Sequence, residues 1–471
     1  MNWKTISTSF KNRDMRKRLL VVLGLIVIYR FLAHIPVPLA EPSQMKDVIN
    51  SVVSSSDFGG FLNLLSGGAL ASFSIVLVGL SPFITASVIT QLMTKAIPKL
   101  EELHKDGESG RRKIQQWTRM ITLPLAIVQS IAFIYILRQS VLASNSTSAL
   151  STTSPFEWVI AVGAMTTGSL LLMWLGEIVT EQGLGNGLSL LIFAGIVSQT
   201  PQTVQTLGNS LLDTSAGKLS VFGWFSLPFN PVVFWIVAAV GAVSLAVLYI
   251  LVKVNEAQRI VTINYAKRVQ GNTSYGGVKS ILPMKLIAAG VIPVIFAVAF
   301  LSLPAFAGQV LKATNNPDFQ AVGANLVTWF QTPGSAAFKG DSLQAFIYPS
   351  LYFLLVIAFT YFYTGIVFNS NEIAENLQKQ GGFIEGVRPG EQTERYLSRT
   401  MNRLMLFGSL VLGIIAVLPY IGEFLLYQIA GVQDSKLAIG GTGILIVVSV
   451  ALESLRQINS RALMVTYDDF K

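Results

Sequence analysis

PVVFWIVAAVGAVSLAVLYILV, residues Pro231–Val252, carries no charged side chain. A helix needs about 20 consecutive apolar residues to cross the hydrocarbon of a bilayer, so this run is long enough to span one. Similar runs lie near 19–36, 73–93, 119–138, 157–176, 187–206, 284–304, 343–368, 402–420 and 440–458, ten in all with the first. Of the 471 residues, 52% are hydrophobic and 13% charged, against about 25% charged in an ordinary soluble domain. So little charge cannot cover a water-facing surface of this size, which argues against a water-soluble enzyme; the apolar content argues against disorder. Cysteine is absent, which removes disulfides, thiolate metal sites and cysteine nucleophiles. The first run is not read as a cleavable signal peptide, because Ile35-Pro36-Val37-Pro38 and further apolar runs follow it.

The net charge of +9 matters through its placement. Lys and Arg gather in five segments: Lys4 to Arg18, Lys95 to Arg119, Lys253 to Lys285, Lys379 to Arg403, and Arg456 to Lys471. The intervening outer segments hold only Lys46, Lys218, Lys312, Lys339 and Lys436, with Arg30 and Arg138 at outer helix ends. Positive charge marks the cytoplasmic side, so this alternation places both termini in the cytoplasm and requires an even number of spans. The expected architecture is an all-α integral membrane protein with ten transmembrane helices. Two five-helix halves, 1–206 and 231–471, flank an external linker at 207–230. Five spans per half would invert the second relative to the first, as in many transport proteins. No residue-level similarity between the halves is evident, so the repeat is a topological expectation.

Residues 58–72 are apolar but too short to span, and Gly59-Gly60 and Gly67-Gly68 flank their middle. Such a segment either re-enters the membrane, where protein must shield its backbone, or lies on the outer surface as an interfacial helix. The cytoplasmic loops 253–284 and 369–400 carry more pattern than connectors need. In the first, Arg259, Val261 and Ile263 alternate with Ile260, Thr262 and Asn264, which predicts a strand, and Gly271 to Gly277 form a turn-rich tip. The second contains Gly381-Gly382-Phe-Ile-Glu-Gly386-Val-Arg388-Pro389-Gly390.

Several chemistries are missing. There is no phosphate-binding glycine–lysine loop, no HExxH and no GxSxG, so neither a nucleotide site, a metal site nor a cofactor is expected and the chain is not read as an enzyme. His34 and His104 read as surface polar residues. Glu177, Glu181 and Glu423 lie near helix ends rather than centres. A proton-coupled transporter of small solutes, the competing reading, needs ionisable groups inside the membrane and a midplane site. A passive path driven from outside fits better.

Six stretches then share one likeness: Gly79-Leu-Ser-Pro82-Phe-Ile-Thr-Ala-Ser-Val-Ile-Thr-Gln91, Thr180-Glu-Gln-Gly-Leu-Gly185-Asn-Gly187-Leu-Ser, Arg259-Ile-Val-Thr-Ile-Asn-Tyr-Ala-Lys-Arg268, Ala289-Gly-Val-Ile-Pro293-Val-Ile295, Val387-Arg-Pro-Gly-Glu-Gln-Thr393 and Gly440-Gly-Thr442. In this order, from Arg13 to about Arg461, they resemble the SecY family of protein-conducting channel subunits. The resemblance implies a central pore whose waist is a ring of aliphatic side chains, here Leu80, Ile84, Leu188, Ile192, Ile295 and Ile446. A narrow apolar constriction excludes water, and aliphatic groups can part around a passing chain without binding it. The resemblance also makes residues 58–72 a re-entrant plug, with Phe61, Leu62, Asn63, Leu64, Leu65, Ser66 and Gly67 at its centre. It places a lateral gate between the runs at 73–93 and 284–304, with Thr85, Gln91 and Gln129 as polar gate residues and Ile287 where many members carry Asn. The loops become docking surfaces for the SecA ATPase and the ribosome through Arg259, Lys267, Arg268, Arg388, Pro389 and Gly390. Further implied partners are SecE, SecG, signal peptides, nascent chains and membrane lipid, and the implied location is the bacterial plasma membrane.

Overall fold

The structure, a computed structural model, describes residues 13–38, 73–143, 155–212, 219–221, 225–227, 230–265, 268–270, 273–275, 279–312, 314, 316–330, 342–430 and 440–468. The helices are α1 (Arg13–Leu32), α2 (Ser81–Ala96), α3 (Pro98–Lys105), α4 (Glu108–Ala143), α5 (Pro155–Glu181), α6 (Gly187–Leu212), α7 (Pro231–Glu256), α8 (Ile292–Lys312), α9 (Pro317–Phe330), α10 (Ser342–Val367), α11 (Ser370–Lys379), α12 (Glu391–Ala430) and α13 (Gly440–Asp468). Each of the ten apolar runs falls largely on one of them. By length and composition, six stretches could cross a membrane among the described residues; they lie in α4, α5, α7, α8, α10–α11 and α12.

Three expectations need correction. The chain is not wholly α-helical: short strands β1 (Leu219–Val221), β2 (Phe225–Leu227), β3 (Gln258–Tyr265), β4 (Arg268–Gln270), β5 (Thr273–Tyr275), β6 (Lys279–Lys285) and β7 (Gly382–Ile384) lie between the long helices. The run at 73–93 does not begin as helix; residues 75–80 are turns, and α2 starts at Ser81. The run at 284–304 likewise opens on the end of β6 and turns over 286–291, with α8 starting at Ile292. Hydropathy reads transfer from water, not backbone conformation, so apolar turns and apolar helix look alike.

Local chemistry accounts for the helix ends. Asn186 caps α6, its Oδ1 accepting from Leu188 N at 3.1 Å, while Thr180 Oγ1 accepts from Gly187 N at 2.9 Å. Asn369 caps α11 by accepting from Glu372 N at 3.4 Å. These bonds satisfy amides that a helix start leaves orphaned. Pro124, Pro201, Pro304, Pro349 and Pro419 sit inside helices, as membrane helices tolerate when neighbours satisfy the freed carbonyls. α8 and α9 approach closely at Gly308 and Gly323: a Cβ on Gly308 would stand 2.9 Å from the Gly323 carbonyl oxygen.

The main apolar core runs through α2, α5, α6, α8, α10, α12 and α13. A second cluster joins Val37, Phe73, Leu77 and Val78 to Phe133, Ile134, Ala161 and Met165. In it the chain after α1 pairs with the segment before α2 through a bridge between Pro36 and Ser74.

Candidate functional site: an apolar waist, a helix pair and a docking sheet

All six aliphatic residues expected at the waist belong to one apolar cluster. Leu80, Ile84, Ile192 and Ile295 are buried members, and Leu188 and Ile446 pack against it. They come from α2 with its preceding turn, α6, α8 and α13. Leu80 and Ile84 share one face, with Ile84 N donating to the Leu80 carbonyl at 3.0 Å, and Leu188 and Ile192 have the same i, i+4 spacing.

The structure also reveals a likeness that the sequence reading missed. Gly79-Leu-Ser-Pro82-Phe-Ile84 and Gly290-Val-Ile-Pro293-Val-Ile295 open α2 and α8 in the same way. Gly79 has φ 61° and Gly290 φ 62°, a left-handed conformation that L side chains resist. A proline follows three residues on, in the first turn, where its missing N–H costs nothing. An isoleucine of the proposed waist comes two residues later. The signal was present as Gly-x-x-Pro-x-Ile, too short to stand out without the shared φ.

α2 and α8 pack directly on each other, α4 lies against both, and α10 lies against α8. Edge-to-face aromatic contacts fasten α8 to α10: Phe296 to Phe359 at 6.1 Å, Phe296 to Tyr363 at 6.1 Å and Phe300 to Phe359 at 5.9 Å between ring centroids. Of the residues expected at a gate, Thr85 is 1% exposed and its hydroxyl has no hydrogen-bond partner among the described residues. Its neighbours differ, since Thr90 donates to the Ala86 carbonyl at 2.7 Å and Thr94 to the Thr90 carbonyl at 2.8 Å. Gln91 Nε2 donates to Ser87 Oγ at 3.1 Å, while its buried Oε1 has no partner among the described residues. Gln129 is half-buried on α4. Ile287 lies in the turn before α8 as part of the apolar cluster. Residues Phe61 to Gly67, the proposed plug, lie outside the described residues.

The two loops expected on the cytoplasmic side are one structure. β3 is the middle strand of a sheet ordered β6-β3-β7, antiparallel throughout. Val261 and Ile263 point inward as the alternation predicts, while Arg259 and Ile260 are exposed. Val261, Met284 and Ile384 pack on Leu397, Met401 and Met405 of α12. β7 leads into the tight turn that carries Arg388. Val387 N donates to the Ile384 carbonyl at 3.0 Å, and Thr393 Oγ1 donates to the Arg388 carbonyl at 2.9 Å. This holds the backbone while Arg388 and Pro389 stay exposed and Gly390 is half-buried. Arg268 opens β4, opposite Tyr275; Lys267 lies outside the described residues.

Other polar side chains tie elements together. Arg119 Nε binds Glu177 Oε1 at 2.8 Å and Gln115 Nε2 donates to the same oxygen at 3.2 Å, tying α4 to α5. Arg18 donates to the Gln182 carbonyl at 3.1 Å.

The profile of the SecY family matches residues 74–455, most of the chain. The chain belongs to the SecY family. Similar SecY proteins include the protein translocase subunit SecY of Streptomyces scabiei, 39% identical over 98% of both chains, and that of Corynebacterium glutamicum, 38% identical over 98% of both. SecY-type architecture recurs in solved structures. One described as a protein conducting channel covers 94% of this chain and 91% of its own at TM-score 0.59 and 20% identity. A structure of the canine Sec61 ribosome–channel complex covers the same shares at TM-score 0.57 and 18% identity.

Proposed function

We propose that this chain is the channel subunit of a protein translocase. It passes unfolded secretory polypeptides across the bacterial plasma membrane and releases transmembrane segments sideways into lipid. The observation that carries this reading is the convergence of six aliphatic side chains from four helices in one apolar cluster. Two of those helices, α2 and α8, enter through matching glycine–proline turns. The ten-helix count, the inverted halves, the cytoplasmic termini and the plug at 58–72 complete the same reading, and the family assignment and the charge alternation support them. The lateral gate is the α2–α8 contact. The exposed Arg388 turn and the sheet beneath it suit docking of SecA or of a ribosome. A solved relative is a ribosome–channel complex, which favours the second driver as well. SecE and SecG are the expected companion subunits.

The test is photocrosslinking in proteoliposomes that hold the complex and a precursor stalled in transit. Crosslinkers at Ile295 and Leu188 should capture the precursor, whereas one at the lipid-facing Ile28 should not. Capture at Ile28 alone would put the path elsewhere.

A further inference from the structure

On α13, Arg456 and Glu453 are three residues apart and so share one helix face. Arg456 Nη2 donates to the Asn255 carbonyl at 2.7 Å, and Nη1 donates to Asn255 Oδ1 at 3.4 Å. Asn255 is 9% exposed and is the penultimate residue of α7. The last carbonyls of a helix have no partner within it, and a cation there also meets the negative end of the helix dipole. Two residues on, the Ala257 carbonyl accepts from Leu286 N at 2.9 Å, and Gln258 pairs with Lys285 as the first rung of β3–β6. The hairpin therefore closes beside the arginine. Glu453 reaches the other leg: its Oε2 lies 3.5 Å from where a Cβ on Gly290 would stand. The charges of Lys285 and Arg456 both act on it. One face of α13 thus holds the exit of α7 through Arg456 and sets Glu453 beside the left-handed turn that launches α8.

We infer that Arg456 and Glu453 are positioning residues that carry movement of the cytoplasmic hairpin into α8. This goes beyond the proposed function and rests on it, because α8 is taken there as a gate helix. The hairpin shares its sheet with β7, which leads to the exposed Arg388 turn, so a driver docked there can push on it. Its two legs meet at Ala257 and Leu286, and the turns over 286–291 lead from there straight into α8, which carries Ile295. With one leg bonded to Arg456 and the Gly290 turn lying against Glu453, displacement of the hairpin turns the Gly290 hinge. With the hold released, the hairpin moves and α8 does not follow.

The experiment uses the whole complex in proteoliposomes and measures SecA binding, precursor-stimulated ATP hydrolysis and protected precursor. For Arg456→Gln and for Glu453→Gln, binding should stay within about twofold of the parent while transport falls by roughly three- to tenfold, a typical size for coupling residues. ATP consumed per precursor then rises. Arg456→Lys should behave as Arg456→Gln does, because an ammonium cannot make the forked contact to Asn255. The double variant should be no worse than the poorer single one, as for residues acting as one unit. Loss of binding in step with transport would mean that the pair only supports the fold. Unchanged transport would mean that it carries no movement. Either result overturns the inference. Glu453→Gln keeps size and shape, so it still decides the matter if Arg456→Gln is poorly inserted. A parent complex that transports nothing would instead fail the channel reading itself.

Discussion

Ile263 of β3 stands directly opposite Ile384 of β7, so the two long loops at 253–284 and 369–400 share one sheet and one small core. Both residues are buried, at 4% and 5% exposure. Ile384→Ala should therefore loosen both loops together, although the change lies in only one. Removing such a side chain costs about 2–5 kcal/mol where the site cannot collapse. Limited proteolysis of membranes should show new cleavage in 258–285 as well as in 380–390. Cleavage confined to the second loop would mean that the β3–β7 pairing does not hold the sheet together.

Arg388 is exposed on a turn whose backbone is held by Thr393 and Ile384. Its guanidinium is thus presented without contributing to the core. Arg388→Glu should leave insertion and protease resistance unchanged and cut SecA-driven transport at least about tenfold, since a carboxylate cannot make the forked contacts of a guanidinium. Transport of a secretory precursor into vesicles checks it, and a near-normal rate removes Arg388 from the docking surface.

His104 of α3 gives a pH dependence. Burial holds its pKa below the ordinary 6.5, and the charges of Arg111 and Lys95 add to this against the opposing Glu101. The folded chain therefore favours neutral imidazole, and the unfolded chain takes up the proton first. Stability at this corner is unaffected above pH of about 6.5 and is lost as pH falls from there through the lower folded value. Amide exchange over 98–113 should quicken on acidification from about pH 7.5 to about pH 5.5. His104→Gln should flatten that response. Equal acid sensitivity in the variant would assign it to other groups.

The sequence revealed what has a period or a composition. The apolar runs located the helices, and alternation over Arg259 to Asn264 located β3 with its inward Val261 and Ile263. Family motifs supplied the six residues proposed for the waist, and all six lie in or against the main apolar cluster. Other features carry no local signal. β7 is three residues long, too short for alternation to register, and its partner lies in a different loop. The turns over 286–291 are as apolar as the helix they precede, so hydropathy merged them. Glu177 read as a helix-end carboxylate; its bonds to Arg119 and Gln115 depend on how α4 crosses α5.

Ile295 supplies the last prediction. It is 8% exposed in the main cluster, whereas Ile28 on α1 is 49% exposed and faces outward. Ile295→Asn puts an amide into a site that the closed chain keeps dry. An amide without a partner in an apolar surrounding costs roughly 2–7 kcal/mol, and the closed state bears that cost. An open, wetted waist hydrates the amide and loses little. Each 1.4 kcal/mol or so of difference moves the equilibrium between the two states about tenfold toward open. A signal sequence then has less work to do in parting α2 from α8, so precursors with defective signals should be exported. Ile28→Asn changes an exposed side chain outside the cluster and should lower abundance without relaxing the signal requirement. Export of one signal-defective precursor is compared in the two variants at equal channel abundance. If Ile295→Asn gains nothing over Ile28→Asn, Ile295 does not line the waist, and the cluster it occupies is packing between helices.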